Sequence, residues 1–292
     1  MTPAASDVDP ATLLLIRRSK IDSIYAELVD LGSGAPDAEV VNVIESGLHH
    51  EELAFLGDLA GGHRRMVEQA AGEYARFEPS EASNAGSAAA LVRILLLQTL
   101  DLAWWGSVPD FSDDASVERA SELVDLRDLR RAGAVEFGFG VASDGLVHRG
   151  RDYLVHRLLP HREPQGAGLP FVRARPAMVA MLNEIAGITA KKAPSGAPPV
   201  WVNSIVRSVE HQKKLRRLGF SAIFPSAHCR GWAADIELAW FERFGAADAL
   251  REVLLGQLDD GVLNVIDEGR AWHVCLAPDH VARFESIALT SS

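Results

Sequence analysis

The stretch PSAHCRGWAADI, residues 225–236, leads from a Pro, Ser and Gly turn into a run of small and branched residues, and it sets His228 and Asp235 seven positions apart. Worked outward from there, GWAADIELAW (231–240) reads as a strand, and VLNVIDEGRAWHVCLA (262–277) as two short strands around Glu268-Gly269-Arg270-Ala271. Upstream, VWVNSIVRS (200–208) is a β-branched strand candidate. Between these lie RARPAMVAMLNEIAGITAKK (173–192) and FGAADALREVLLGQLDDG (244–261) with helical periodicity, and HQKKLRRLG (211–219), a short basic helix closed by Gly219. Strands and helices in this order give an α+β unit with a small antiparallel sheet.

Before residue 134 the texture is helical. ATLLLIRRSKIDSIYAELVDLG (11–32) spaces Leu14, Ile21, Ile24, Leu28 and Leu31 near the helical period and stops at Gly32. The segment from Glu51 to Phe77 is divided by Gly61–Gly62 and reads as two helices. SAAALVRILLLQTLDLAWW (87–105), apolar nearly all round, reads as the buried central helix of a bundle. After the acidic loop PDFSDDAS comes VERASELVDLRDLRRAG (117–133), with Leu123, Leu126 and Leu129 on one helical face. VEFGFGVASDGLVHRG (135–150) suggests a hairpin or an irregular segment, and HREPQGAGLP (161–170) a connector. The expected organisation is α+β overall, with an all-α helical domain over residues 1–160 and a small antiparallel-sheet domain over 166–292.

The charge follows the same division. Residues 1–150 hold 12 Lys and Arg against 25 Asp and Glu, whereas residues 151–292 hold 17 against 15, so the net −11 of the 292-residue chain belongs to the first half. That balance argues against a nucleic-acid partner, which needs clustered cations. With 48% hydrophobic and 24% charged residues, the composition is that of an ordinary globular protein. The longest uncharged apolar run, around Ile94 to Leu100, is short of the roughly 20 residues of a spanning helix. The first residues carry acids before a short apolar run and bases after it, the reverse of a secretory signal, so the sequence alone points to the cytoplasm. Two cysteines, Cys229 and Cys275, allow one bridge at most, and buried thiols are the simpler expectation.

His228, Asp235 and His273, the last 38 residues after the aspartate, are two imidazoles and a carboxylate, a set suited to Zn²⁺ with one coordination position left open. On spacing alone the competing reading, a polar loop plus a core histidine beside Trp272, stays open. S-x-H-x-x-G-x-A-x-D, here Ser226, His228, Gly231, Ala233 and Asp235, followed by Trp272–His273, resembles the signature of the D-alanyl-D-alanine carboxypeptidase and dipeptidase metallopeptidases, whose fold is shared with lysostaphin-type endopeptidases and the hedgehog signalling domain. Ser204, Arg207, Ser208, Gln212 and Leu215 fit the family's upstream S-x-x-R-S and Q-x-x-L. The resemblance covers about residues 170–285 and leaves residues 1–160 without a relative.

The resemblance implies a zinc peptidase hydrolysing a bond next to a D-amino acid, with a peptide substrate of cell-wall type. His228, Asp235 and His273 would be the ligands, Arg207 the stabiliser of the negative charge developing on the scissile carbonyl, and Ser226 and Gln212 substrate contacts. A guanidinium fixed beside a forming oxyanion is a strong stabiliser in its own right. The sequence departs from the family at the base: three residues before His273, where many members carry an acid, stands Arg270. If Gly269–Arg270 form a two-residue turn with Gly first, Glu268 pairs with Ala271 and shares the face of His273, while Asp267 points away. Glu268 is therefore the expected base, and Asp267 the weaker alternative. The displaced acid also admits a non-catalytic, zinc-retaining binding module whose helical half takes a partner. Glu237, on the face of Asp235, is a candidate to orient a ligand. His49-His50-Glu51-Glu52 has the residue types of a zinc helix but no H-E-x-x-H, and His63, His148, His156 and His161 have no carboxylate pattern; Lys213, Lys214, Arg216 and Arg217 read as a solvated face or a dock for an acidic surface or an anionic glycan polymer.

Overall fold

The structure, a computed structural model, describes residues 8–32, 34–79, 85–142, 164, 168–220 and 222–290. It is α+β, with helices α1 to α5 at Pro10–Leu31, Asp37–Leu48, Ala54–Ala60, His63–Ala75 and Ala88–Trp105. Short helices α6 (Asp114–Arg119) and α7 (Leu126–Arg131) follow, then α8 (Pro176–Lys192), α9 (Val209–Arg217), α10 (Ala239–Glu242), α11 (Ala247–Asp259) and α12 (Val281–Thr290). Strands β1 (Val124–Asp125) and β2 (Arg173–Ala174) make a small antiparallel pair. β3 (Val202–Ser204), β4 (Ala233–Glu237), β5 (Leu263–Asp267) and β6 (Ala271–Leu276) form an antiparallel sheet in the order β3-β4-β6-β5.

The helices begin where local chemistry lets them. Asp9 caps α1, its carboxylate accepting from the Thr12 backbone N–H at 2.9 Å, and Pro10 occupies a first-turn position that needs no donor. Ser87 caps α5 by accepting from the Ala90 N–H at 3.1 Å. α5 meets the length and composition of a membrane span, yet 72% of it is buried inside the fold, packed against α1, α3 and α4 on one side and β5 on another. Its all-round apolarity has that cause: it is the axis of the main apolar core, which runs from Leu14 and Ile21 through Leu96 and Leu100 to Val265, Val274 and Leu276. The boundary expected near residue 165 falls beside segments outside the described residues, and the two halves join through this core.

Trp105, at the end of α5, stacks on Trp232 with ring centroids 4.1 Å apart and donates its indole N–H to the Leu276 carbonyl at 2.8 Å. The basic helix α9 turns Arg216 to Glu73, a nearly buried acid on α4, at 2.5 Å, so part of its charge meets the helical half's own acidity.

Two sequence expectations need correction. Residues 117–133 are not one helix: α6 stops at Arg119, Val124–Asp125 pair with Arg173–Ala174, and α7 starts anew at Leu126. The interruption is stabilised by Arg173, whose guanidinium donates to the carbonyls of Glu118, Ala120 and Leu123 and so replaces the bonds that a continuous helix would have made. Of the two readings of 135–150, the described part takes the irregular one in place of the hairpin: it makes isolated parallel bridges from Gly138 to Trp201 and from Val141 to Leu169. Residues 143–150 lie outside the described residues.

Candidate metal centre

β4 lies inside the sheet, flanked by β3 and β6, and its register sets Asp235 directly opposite His273. Cross-strand partners share a face, so both side chains emerge together. His228 arrives from the short 3₁₀ turn Ala227–Arg230, which Ser226 caps and which Gly231 ends at φ 74° before the strand starts. That left-handed conformation strains any residue with a Cβ. A Cβ at Gly231 would also stand 3.3 Å from Arg175 Nε and 3.5 Å from Val206 Cγ2. Gly231→Ala is expected to lose roughly 1–2 kcal/mol of stability, read by urea titration; a variant as stable as the wild type would contradict this account of the turn.

The three side chains converge on one point. His228 Nε2 lies 3.0 Å from Asp235 Oδ1 and 3.2 Å from His273 Nδ1, and His273 Nδ1 lies 3.2 Å from the same carboxylate oxygen. Each imidazole's other nitrogen is already occupied. His228 Nδ1 donates to the Ile205 carbonyl at 2.7 Å, and His273 Nε2 faces Asp101 Oδ2 at 2.9 Å. With these outer nitrogens as donors, the inner ones of neutral rings carry lone pairs, and both lone pairs aim at the space beside Asp235. Two imidazoles and a carboxylate, all buried and each oriented by an outer partner, fit a zinc ion with a position to spare once both inner nitrogens are free of protons.

Electrostatics follow from burial and pairing. Burial lowers His228, helped by the nearby Arg207 cation, against the opposing pull of Asp235. For His273 burial also pulls downward, but hydrogen bonds and charge from Asp101 and Asp235 outweigh it and hold the ring up at about 10. Burial would raise Asp235, yet His228, Arg207 and the hydrogen bonds from both rings hold it well below the usual carboxylate range.

His228 and Asp235 open onto a cavity of about 60 Å³ whose wall also includes Arg207, Gln212, Phe220, Gln98 and Glu268. Arg207 is held on three sides: Nε donates to Ser204 Oγ at 2.8 Å, one terminal nitrogen to Gln212 Oε1 at 3.1 Å, and the other pairs with Asp235 Oδ2. Gln212 in turn donates to the Ile223 carbonyl at 2.7 Å. Ser226 is buried and accepts from the His228 N–H at 3.3 Å, which makes it a cap of the metal-site turn; it does not line the cavity.

The turn after β5 separates the two acids as alternation requires. Asp267 is paired with Trp272 and exposed, its carboxylate accepting from the Gly269 N–H at 2.7 Å. Glu268 bonds backbone to backbone with Ala271, is 7% exposed, lines the cavity, and accepts from Gln98 Nε2 at 2.7 Å. Gly269 has φ 89° and Arg270 a negative φ, as a Gly-first tight turn needs.

Other candidates lie elsewhere. Glu237 accepts from Asn203 at 2.6 Å and from the Trp240 N–H at 3.3 Å, so it organises the start of α10 and orients no ligand. Cys229 and Cys275 are free buried thiols; burial raises Cys229 to about 12 and Cys275 well above its usual value. His49 and His63 lie with ring centroids 4.5 Å apart, outside the one His/Cys/Asp/Glu group that could hold a metal among the described residues. His148, His156 and His161 fall outside the described residues.

Sequence reading missed Asp101 and Gln98, both from the helical half. The signal was present in LLLQTLDL: two strongly polar residues three apart on one face of a helix otherwise too apolar to meet water. No protein-family model, no curated protein and no solved structure matches the chain.

Proposed function

We propose that the chain is a zinc-dependent peptidase that hydrolyses a peptide bond next to a D-amino acid. The observation that carries this reading is the convergence of His228 Nε2, His273 Nδ1 and Asp235 Oδ1 within 3.0–3.2 Å of one another, with both outer ring nitrogens already engaged. Zinc in such a site polarises a carbonyl and lowers the pKa of water toward about 7. The chain's own groups perform the rest. Glu268, on the cavity wall, accepts a proton from the attacking water and returns it to the departing amine nitrogen. Arg207, anchored by Ser204 and Gln212, faces the negative charge that develops on the carbonyl oxygen. The D-amino acid preference comes from the motif resemblance.

The test is twofold. The purified protein is expected to hold about one zinc per chain by elemental analysis, and to cleave a member of a panel comprising D-Ala-D-Ala and D,D-, L,D- and D,L-linked muropeptides. A protein that takes up no zinc sinks the proposal.

A specific observation favours a second reading, a zinc-retaining binding module without catalysis. The cavity is small, about 60 Å³, and Arg207 is committed to Asp235. Zinc bound at full occupancy with no cleavage across the panel would decide for that reading.

A further inference from the structure

We propose that Asp101, delivered by α5 of the helical half, is a positioning residue of the metal centre: it fixes the ring of His273 so that Nδ1 is the ligand atom. This rests on the reading of His228, Asp235 and His273 as a metal site. Asp101 is 1% exposed, and a carboxylate buried in an apolar helix is costly unless its oxygens are engaged. Both have donors: Oδ2 faces His273 Nε2 at 2.9 Å, and Oδ1 accepts from Asn264 Nδ2 at 2.8 Å.

The direction of this chain of bonds is forced by chemistry. Asn264, fully buried on β5, also donates from Nδ2 to the Leu97 carbonyl at 3.0 Å and accepts at Oδ1 from the Arg18 guanidinium. A carbonyl can only accept and a guanidinium can only donate, so the amide has one orientation and must present its NH₂ to Asp101. Asp101 therefore receives at Oδ1 and has Oδ2 left for His273. The ring must donate there through Nε2–H, and only a neutral ring with its proton on Nε2 can offer an Nδ1 lone pair beside Asp235. Without the carboxylate, the proton is free to settle on Nδ1 and block the ligand position. The residues behind His273 come from α1 (Arg18), α5 (Asp101 and the Leu97 carbonyl) and β5 (Asn264), so the helical half is built into the metal centre.

Asp101→Asn keeps size and shape but has one acceptor oxygen for two donors, and either His273 or Asn264 must then face an NH₂ group. Zinc titration of the full chain is expected to show affinity lowered by about 10–100-fold in D101N, with helical circular dichroism unchanged. Arg18→Met removes a buried group from the same core yet leaves both Asp101 oxygens with their donors, so its affinity loss is expected to be smaller than that of D101N. Equal zinc affinity in D101N and the wild type overturns the proposal, as does an equal loss in R18M, which would mark general loosening of the core. The metal reading fails separately, if the wild type binds no zinc. The ring then decides by NMR: a His273 Nε2 proton that exchanges faster in D101N than in the wild type supports the positioning role, and equal exchange overturns it.

Discussion

Replacing Glu268 with glutamine is expected to lower peptide hydrolysis by about 10²–10⁴-fold while leaving zinc content and thermal unfolding close to wild type. Glutamine preserves the shape of the side chain and can still accept the 2.7 Å hydrogen bond from Gln98, so the wall of the cavity stays in place. What it loses is the ability to take a proton from water and deliver it to the amine. Asp267→Asn is the matched control. That carboxylate is exposed on the other side of the hairpin and already turned to the Gly269 N–H, so its loss is expected to leave turnover nearly unchanged. Steady-state kinetics on one responsive peptide compare the two. Full activity in E268Q, or a larger loss in D267N, would remove Glu268 from the base role.

The same hairpin shows how far the residues alone reach. Alternation along VLNVIDEGRAWHVCLA, with a Gly-first tight turn, is enough to fix the pairing of Asp267 with Trp272 and to send Glu268 and Asp267 to opposite faces. The pairing of Asp235 with His273 is a sheet register that only the fold supplies, since β4 and β6 are separated by α10, α11 and β5. Local pattern also fails at residues 117–133, where helical spacing of the leucines is overruled by Arg173, a donor some 50 residues away in the chain. Helix α12 has no counterpart in the sequence reading, although Phe284 is fully buried there against the rest of the core. Most consequential is the helical half. Composition gives it acidity and no chemistry, because α5 is apolar nearly all round. Gln98 and Asp101 are two of the polar residues on that helix, and they face Glu268 and His273, so the division of the chain by charge is no division of the site.

Zinc binding and rising pH are expected to act in opposite directions on stability. In the metal-free protein, His273 is held at about 10, above its ordinary 6.5, by Asp101 and Asp235 in spite of burial. A raised imidazole contributes stability that is complete below about 6.5 and fades as pH climbs toward 10. His228, lowered by burial, works from the other side, since its contribution fades as pH falls below 6.5. The chelated protein should therefore be most stable near pH 6.5 and lose melting temperature steadily above it. Zinc cancels the upper limb. It requires Nδ1 of His273 without a proton, so each ion bound below about pH 10 displaces one, and the apparent affinity rises roughly tenfold per pH unit. Tighter binding to the native state alone raises stability by mass action. The difference in melting temperature between zinc-loaded and chelator-treated protein is thus expected to widen from pH 6 to pH 9. A gap that stays constant or narrows over that range would mean that His273 is not a ligand through Nδ1, and would count against the metal centre itself.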